Sequence, residues 1–128
     1  MTADTLRRGF LLVIAIGLVP VALSYGVDPA TSLERLYGIT VEGIDLTHIF
    51  RAYMGLYLAA SVLWLAGAFS QRLRRPALIA AGVFMLGIAA GRILSLAVDG
   101  LPDAKFVVYL AIELAAGIPA LLLARHAD

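Results

Sequence analysis

The chain has 128 residues, of which 62% are hydrophobic and 15% are charged, and its mean hydropathy is +0.94. Soluble domains have about 45–50% apolar and about 25% charged residues, so this chain lacks the polar side chains needed to cover a soluble surface. Composition therefore predicts a single membrane domain over residues 1–128. The net charge of +1 gives no indication of nucleic-acid binding, and without cysteine there are neither disulfides nor thiolate metal sites.

Four apolar segments are long enough to cross a membrane, at residues 9–25, 47–69, 77–98 and 106–123. The first contains Pro20, which should kink it. Arg7-Arg8, the apolar run and Ala22-x-Ser24 also resemble a signal peptide with a cleavage site, but we favour an uncleaved helix. The predicted fold is an all-α integral membrane protein, an antiparallel bundle of four transmembrane helices.

Two connections have helix signals of their own. In residues 26–45, Asp28 and Pro29 are typical of a helix start and Gly38 of its stop. We therefore predict a short interfacial helix there, either a plain surface helix or a lid over a site. The basic segment at residues 70–75 is predicted to be a tight loop, with Pro76 starting the third long helix.

The distribution of charge predicts the orientation of the bundle, because short cytoplasmic loops are rich in Lys and Arg. One side has six cations and the other has only two cations among six acidic residues. The six cations are Arg7, Arg8, Arg72, Arg74, Arg75 and Arg125. We therefore predict a multi-pass protein of the bacterial inner membrane with both termini cytoplasmic and the short interfacial helix periplasmic.

Three charged side chains lie inside the predicted spans: Arg51, Arg92 and Glu113. At 1.5 Å per residue they are about 6, 9 and 10 Å from the periplasmic ends of their helices. Each costs roughly 2.5–3.5 kcal/mol in a membrane before a partner helps. The glutamate is too short to reach water, so it must pair or become neutral. We predict a pair between Arg92 and Glu113, with Arg51 nearby.

Small residues should allow helices to approach each other at the same level. Gly87, Gly91 and Ser95 form a row at four-residue spacing, which permits close helix contact. Gly55 and Gly117 are predicted to play the same role in the second and fourth spans. Arg92, Ser95 and Asp99 also share one helix face.

These observations predict a polar pocket in the periplasmic half of the bundle for a small anionic or amphipathic ligand or a lipid. Its candidate binding residues are His48, Arg51, Arg92, Ser95, Asp99, Tyr109 and Glu113. The alternatives are a satisfied polar network that only ties helices together, a proton-coupled transporter using Glu113, and an enzyme acting on a lipid-like substrate. Contact with a second copy or with a partner membrane protein is a further interpretation. We predict no catalytic residue, metal or cofactor, since there are too few histidines and carboxylates for a haem or di-metal site.

Two motifs resemble an uncharacterised family of small four-helix bacterial membrane proteins, known only as a domain of unknown function. They are R-A-Y-M-G-L-Y-L at Arg51–Leu58 and G-R-I-L-S-L-A-V-D-G at Gly91–Gly100. The resemblance covers most of the chain and implies no activity. It marks Arg51, Gly55, Arg92, Ser95, Asp99 and Gly100. Small multidrug exporters are similar in size, but they place their essential glutamate in the first helix, which has no charge here.

Overall fold

The computed structural model describes residues 1–126, which form five helices and no strand. The helices are α1 (Ala3–Gly26), α2 (Pro29–Tyr37), α3 (Gly43–Phe69), α4 (Gln71–Val98) and α5 (Ala104–Arg125). The prediction of an all-α fold is confirmed. All four apolar segments lie inside long helices, and α1, α3, α4 and α5 are each long and apolar enough to cross a membrane.

The short helix α2 begins and ends where the sequence predicts. Asp28 caps its first turn by accepting a hydrogen bond from the backbone N–H of Thr31 at 3.4 Å. Pro29 is the first helical residue, and Gly38 ends the helix in the left-handed conformation with φ of +66°. The side chain of Leu33, on the inner face of α2, is fully buried, so this helix is anchored to the bundle.

The predicted loop at residues 70–75 is wrong. Ser70 alone, with an extended backbone, separates α3 from α4, and residues 71–75 form the first turns of α4. Pro76 is the sixth residue of that helix rather than its start. Pro76 lacks the N–H that would bond to the carbonyl oxygen of Arg72, so the start of α4 loses one backbone hydrogen bond. Hydrogen bonds from Arg74 to the end of α3 and from Arg75 to the end of α5 hold this basic segment in place.

Four arginines bind the carbonyl ends of two helices, at the end of the bundle that we call the arginine end. On α3, Arg74 donates to the carbonyl oxygens of Gly67 at 3.2 Å and Ala68 at 2.9 Å, and Arg8 donates to Ala68 at 3.2 Å. On α5, Arg7 donates to Leu123 at 3.1 Å and Arg75 to Ala124 at 3.3 Å. The last carbonyls of a helix have no partner within it and carry partial negative charge. The arginines therefore satisfy both helix ends, with one side chain from α1 and one from α4 on each.

The long helices pack as two antiparallel pairs, α1 with α3 and α4 with α5, and contacts between α3 and α4 join the pairs. Near the arginine end the core is closed by buried side chains from all four helices. These include Leu11, Ala15, Trp64, Leu78 and Ala120. In contrast, α1 makes few contacts with α5. The bundle is therefore closed at the arginine end and less completely packed toward the opposite end, which carries α2 and which we call the α2 end.

Most of the glycines that allow close helix contact are not the ones that the sequence predicts. Of the predicted packing glycines, Gly117 lies at a close helix approach, because an added Cβ would be 2.8 Å from Leu86. The prediction is wrong for Gly55, Gly87 and Gly91 within this chain, since each has open space beside its Cα. Gly55 and Gly87 are exposed, and Gly91 borders an unfilled space between α4 and α5. The close approaches that the sequence did not indicate are at Gly26, Gly67 and Gly82.

Gly67 gives a testable consequence of this packing. An added Cβ would overlap the Cβ of Ala77 and lie 3.1 Å from the carbonyl oxygen of Leu73. We expect Gly67→Ala to lower the free energy of unfolding by about 1–3 kcal/mol, as overpacking does. Gly55→Ala on the same helix should instead raise it by up to about 1 kcal/mol through helix propensity. Unfolding in mixed micelles measures both, and equal effects would contradict the packing.

Candidate functional site

The polar centre of the structure is an ion pair between α4 and α5. The Nε–H of Arg92 donates to both carboxylate oxygens of Glu113, at 2.9 Å and 2.8 Å. The side chain of Glu113 is only 10% exposed and that of Arg92 is 26% exposed. The pair predicted from the depths of the two charges is thus present.

Aromatic rings surround the guanidinium of Arg92. Its Cζ lies 5.6 Å from the ring centre of Tyr109 and 5.9 Å from that of Phe106, which are cation–π distances. Tyr37 of α2 packs on both rings, and its hydroxyl is 3.5 Å from that of Tyr109. Burial, together with the contact to Tyr109, raises the pKa of Tyr37, so its hydroxyl stays neutral. Among the described residues of this site, only Arg92 and Glu113 carry full charges.

α2 is also bonded to the start of α5, next to these aromatic rings. Lys105, at the start of α5, donates to the carbonyl oxygen of Leu36 at 2.9 Å. Its ammonium also lies 5.8 Å from the ring centre of Tyr37. This cation is therefore already engaged at the carbonyl end of α2.

The ion pair lines a cavity of about 380 Å³ between α1 and α5, which we call the α1–α5 cavity. Ligand pockets commonly have volumes of roughly 300–1,000 Å³. Its polar lining comes from all five helices and consists of Tyr25, Tyr37, Tyr57, Arg92, Tyr109 and Glu113. Its remaining lining is apolar, including Val13, Gly17 and Val21 of α1 and Ile112 of α5. The cavity thus has a polar region near the α2 end and an apolar region along the helices.

A second cavity of about 410 Å³ lies on the other side of Arg92, between α4 and α5. Ser95 and Phe106 line it. Ser95 is exposed and donates to Asp99 at 2.8 Å, so these two candidate binding residues bond to each other on the surface. Arg92 and Ile88 line both cavities, and Arg92 is the charged residue of the two.

The structure does not bring His48 and Arg51 to the site. Both are exposed, and neither lines either cavity. Tyr57 is the residue of α3 that faces the α1–α5 cavity. Arg51 is six residues away, or about 240° around the helix, and His48 is about 180° away. The expectation that Arg51 lies beside the ion pair is therefore wrong. Arg51 lies at the depth of the pair, but on a different face of α3 from Tyr57, which faces the cavity.

The sequence did not single out Tyr25, Tyr37, Tyr57 or Gly17 as site residues. Tyr25 lies at the α2 end of α1, and its ring packs edge to face on that of Tyr57, near the middle of α3, with ring centres 5.3 Å apart. Depth could have selected Tyr25 but not Tyr57. No sequence signal marks Tyr37 or Gly17. Tyr37 lines the cavity because α2 docks there, and Gly17 lines it because the space beside this glycine is unfilled.

The fold and site define a small helical protein with four helices suited to a membrane and a buried ion pair beside a cavity. Residues 6–124 match the sequence model of the family described as Domain of unknown function (DUF4345), and the chain belongs to that family. This confirms the resemblance to an uncharacterised family. No curated protein and no solved structure matches the chain.

Proposed function

We propose that this protein binds one amphipathic molecule in the α1–α5 cavity, within the bacterial inner membrane and with both termini cytoplasmic. The polar head group of the ligand contacts Arg92 and Glu113. Its apolar chain lies along α1 toward the arginine end. The orientation rests on the six arginines near the termini and the α3–α4 connection.

The observation that carries the proposal is the unused hydrogen-bonding capacity of Arg92. Among residues 1–126, only the Nε–H of Arg92 has an acceptor within the protein, and that acceptor is the carboxylate of Glu113. The terminal nitrogens Nη1 and Nη2 have four N–H groups in total. No buried side-chain donor among the described residues lacks a partner, so these N–H groups are accessible. A ligand with oxygen acceptors would gain strong hydrogen bonds there.

The shape of the cavity supports an apolar chain on the same ligand. Val13 is 72% exposed and Val21 38% exposed on the face of α1 that lines the cavity. Gly17, between them, leaves open space beside its Cα. Because α1 and α5 have few contacts, a molecule can enter sideways from lipid between them.

Two alternatives receive less support. A proton-coupled transporter using Glu113 needs access from both ends, whereas Leu11, Trp64 and Leu78 close the arginine end. An enzyme needs a nucleophile or an acid–base pair. The described residues that line the α1–α5 cavity include no serine, cysteine or histidine.

Filling the cavity tests the proposal. We expect Gly17→Leu to occupy the space beside α1 and to reduce co-purified amphiphile at least tenfold. Native mass spectrometry of protein released from lipid nanodiscs, with solvent extraction and chromatography of the bound molecule, measures this occupancy. Gly9→Leu is the matched control, because Gly9 is also an open glycine of α1 but lies outside the cavity. Equal occupancy in the two variants would contradict binding at this place.

A further inference from the structure

We infer that the head group of the ligand is an anion and that its binding adds one proton to Glu113. This inference rests on the proposed function and specifies the chemical class of the ligand. The candidate head groups are carboxylate, phosphate and sulfonate, each of which presents two or more oxygens on one side.

The first step is the geometry of the guanidinium. Both oxygens of Glu113 share the single Nε–H of Arg92. The opposite edge, formed by one N–H of Nη1 and one of Nη2, therefore stays available. That edge donates two parallel hydrogen bonds, which match the two oxygens of an anion. A neutral alcohol can use only one of them at a time.

The second step is the charge of the cavity. An ionised ligand would place two anions around one guanidinium, for a net charge of −1 in a mostly apolar cavity. The groups that face the site from the other helices are phenols, Tyr25 of α1, Tyr37 of α2, Tyr57 of α3 and Tyr109 of α5. None of them supplies a positive charge.

Lys105 is the remaining cation near these rings, but it does not line the cavity and already donates to Leu36. The excess charge is removed if Glu113 takes a proton from water as the anion binds. The neutral carboxyl then becomes a donor, which can bond to the ligand instead of competing with it for Arg92.

The experiment uses decanesulfonate, which stays ionised throughout the pH range, so the ligand itself takes up no proton. Its affinity for the protein in lipid nanodiscs is measured by calorimetry from pH 5 to 9. Binding that takes up one proton weakens as pH rises, by about tenfold per pH unit where free Glu113 is ionised. Glu113→Gln, which is neutral at every pH, should bind at the tight limit with no pH dependence. His48→Gln should keep the wild-type slope, since His48 is exposed and outside both cavities.

The outcomes separate the inference from the proposed function. If decanol binds as tightly as decanesulfonate and both are displaced by Gly17→Leu, the cavity binds amphiphiles but the anion inference is overturned. If neither probe responds to Gly17→Leu, the proposed function fails as well. A pH-independent affinity of the wild type for decanesulfonate would also overturn the inference.

Should Glu113→Gln not fold, the wild type alone decides the matter. Titrating decanesulfonate in two buffers of different ionisation enthalpy counts the protons taken up. We expect about one proton for each ligand bound. A count of zero would overturn the inference.

Discussion

Arg74→Met is expected to destabilise the protein by about 3–5 kcal/mol. The side chain of Arg74 is only 7% exposed. It donates to the carbonyl oxygens of Gly67 and Ala68 and pairs with Asp4. Hydrogen bonds to charged groups contribute about 1.5–3 kcal/mol each, and methionine keeps most of the aliphatic stem while removing all of them. The bond to Asp4 should contribute least, since that carboxylate is 47% exposed.

Arg72→Met is the matched control, two residues earlier on α4. Arg72 is exposed, and the described residues give it no hydrogen bond within the chain. Both variants lose one positive charge, so an effect on membrane insertion would appear in both. Reversible unfolding in mixed micelles compares their free energies of unfolding. Equal stability of the two variants would contradict the structural role of Arg74.

The arginine end shows that one set of residues can serve two purposes. Six arginines on one side predict orientation by their number alone. Four of them, Arg7, Arg8, Arg74 and Arg75, also bind the carbonyl ends of α3 and α5. Pairs of adjacent arginines suit this arrangement, because neighbours on a helix point about 100° apart and reach different partners. Charge counting could not reveal this, since it ignores direction.

Much of the fold could be predicted from the sequence because its signals are local. Runs of apolar residues indicate the long helices, and Asp28, Pro29 and Gly38 give the bounds of α2. The pairing of Arg92 with Glu113 was also predictable, since each charge is costly alone and both lie at one depth. What was not predictable is rotation about the helix axes. Arg51 shares the depth of the ion pair but faces away from it.

The cavity could not be predicted from the sequence for a related reason. A space is defined by side chains that fail to meet, and no single segment encodes this. The glycines illustrate the difficulty: Gly67, Gly82 and Gly117 meet neighbouring helices, whereas Gly17 faces open space. All four have similar apolar neighbours in the chain. Only the packing of α1 mainly against α3, and of α5 mainly against α4, decides which glycine contacts a helix and which lines a gap.

The ion pair gives the second large prediction. Glu113→Leu leaves the guanidinium of Arg92 without its partner, and breaking a buried pair costs about 3–5 kcal/mol. The double variant Arg92→Met with Glu113→Leu should recover most of that loss, because it leaves no uncompensated charge and keeps similar side-chain volume. Ser95→Ala, which removes an exposed hydrogen bond on the same helix, is the control and should change stability by less than about 1 kcal/mol. Unfolding in mixed micelles gives the coupling energy between Arg92 and Glu113.

The stability of the double variant decides what the charges contribute. If it is no more stable than Glu113→Leu, the cost arises from lost packing around position 113, and the charges of the pair contribute little to the stability of the bundle. A large recovery together with loss of decanesulfonate binding would instead show that this pair is retained for the ligand, at a site where apolar residues would hold the helices together as well.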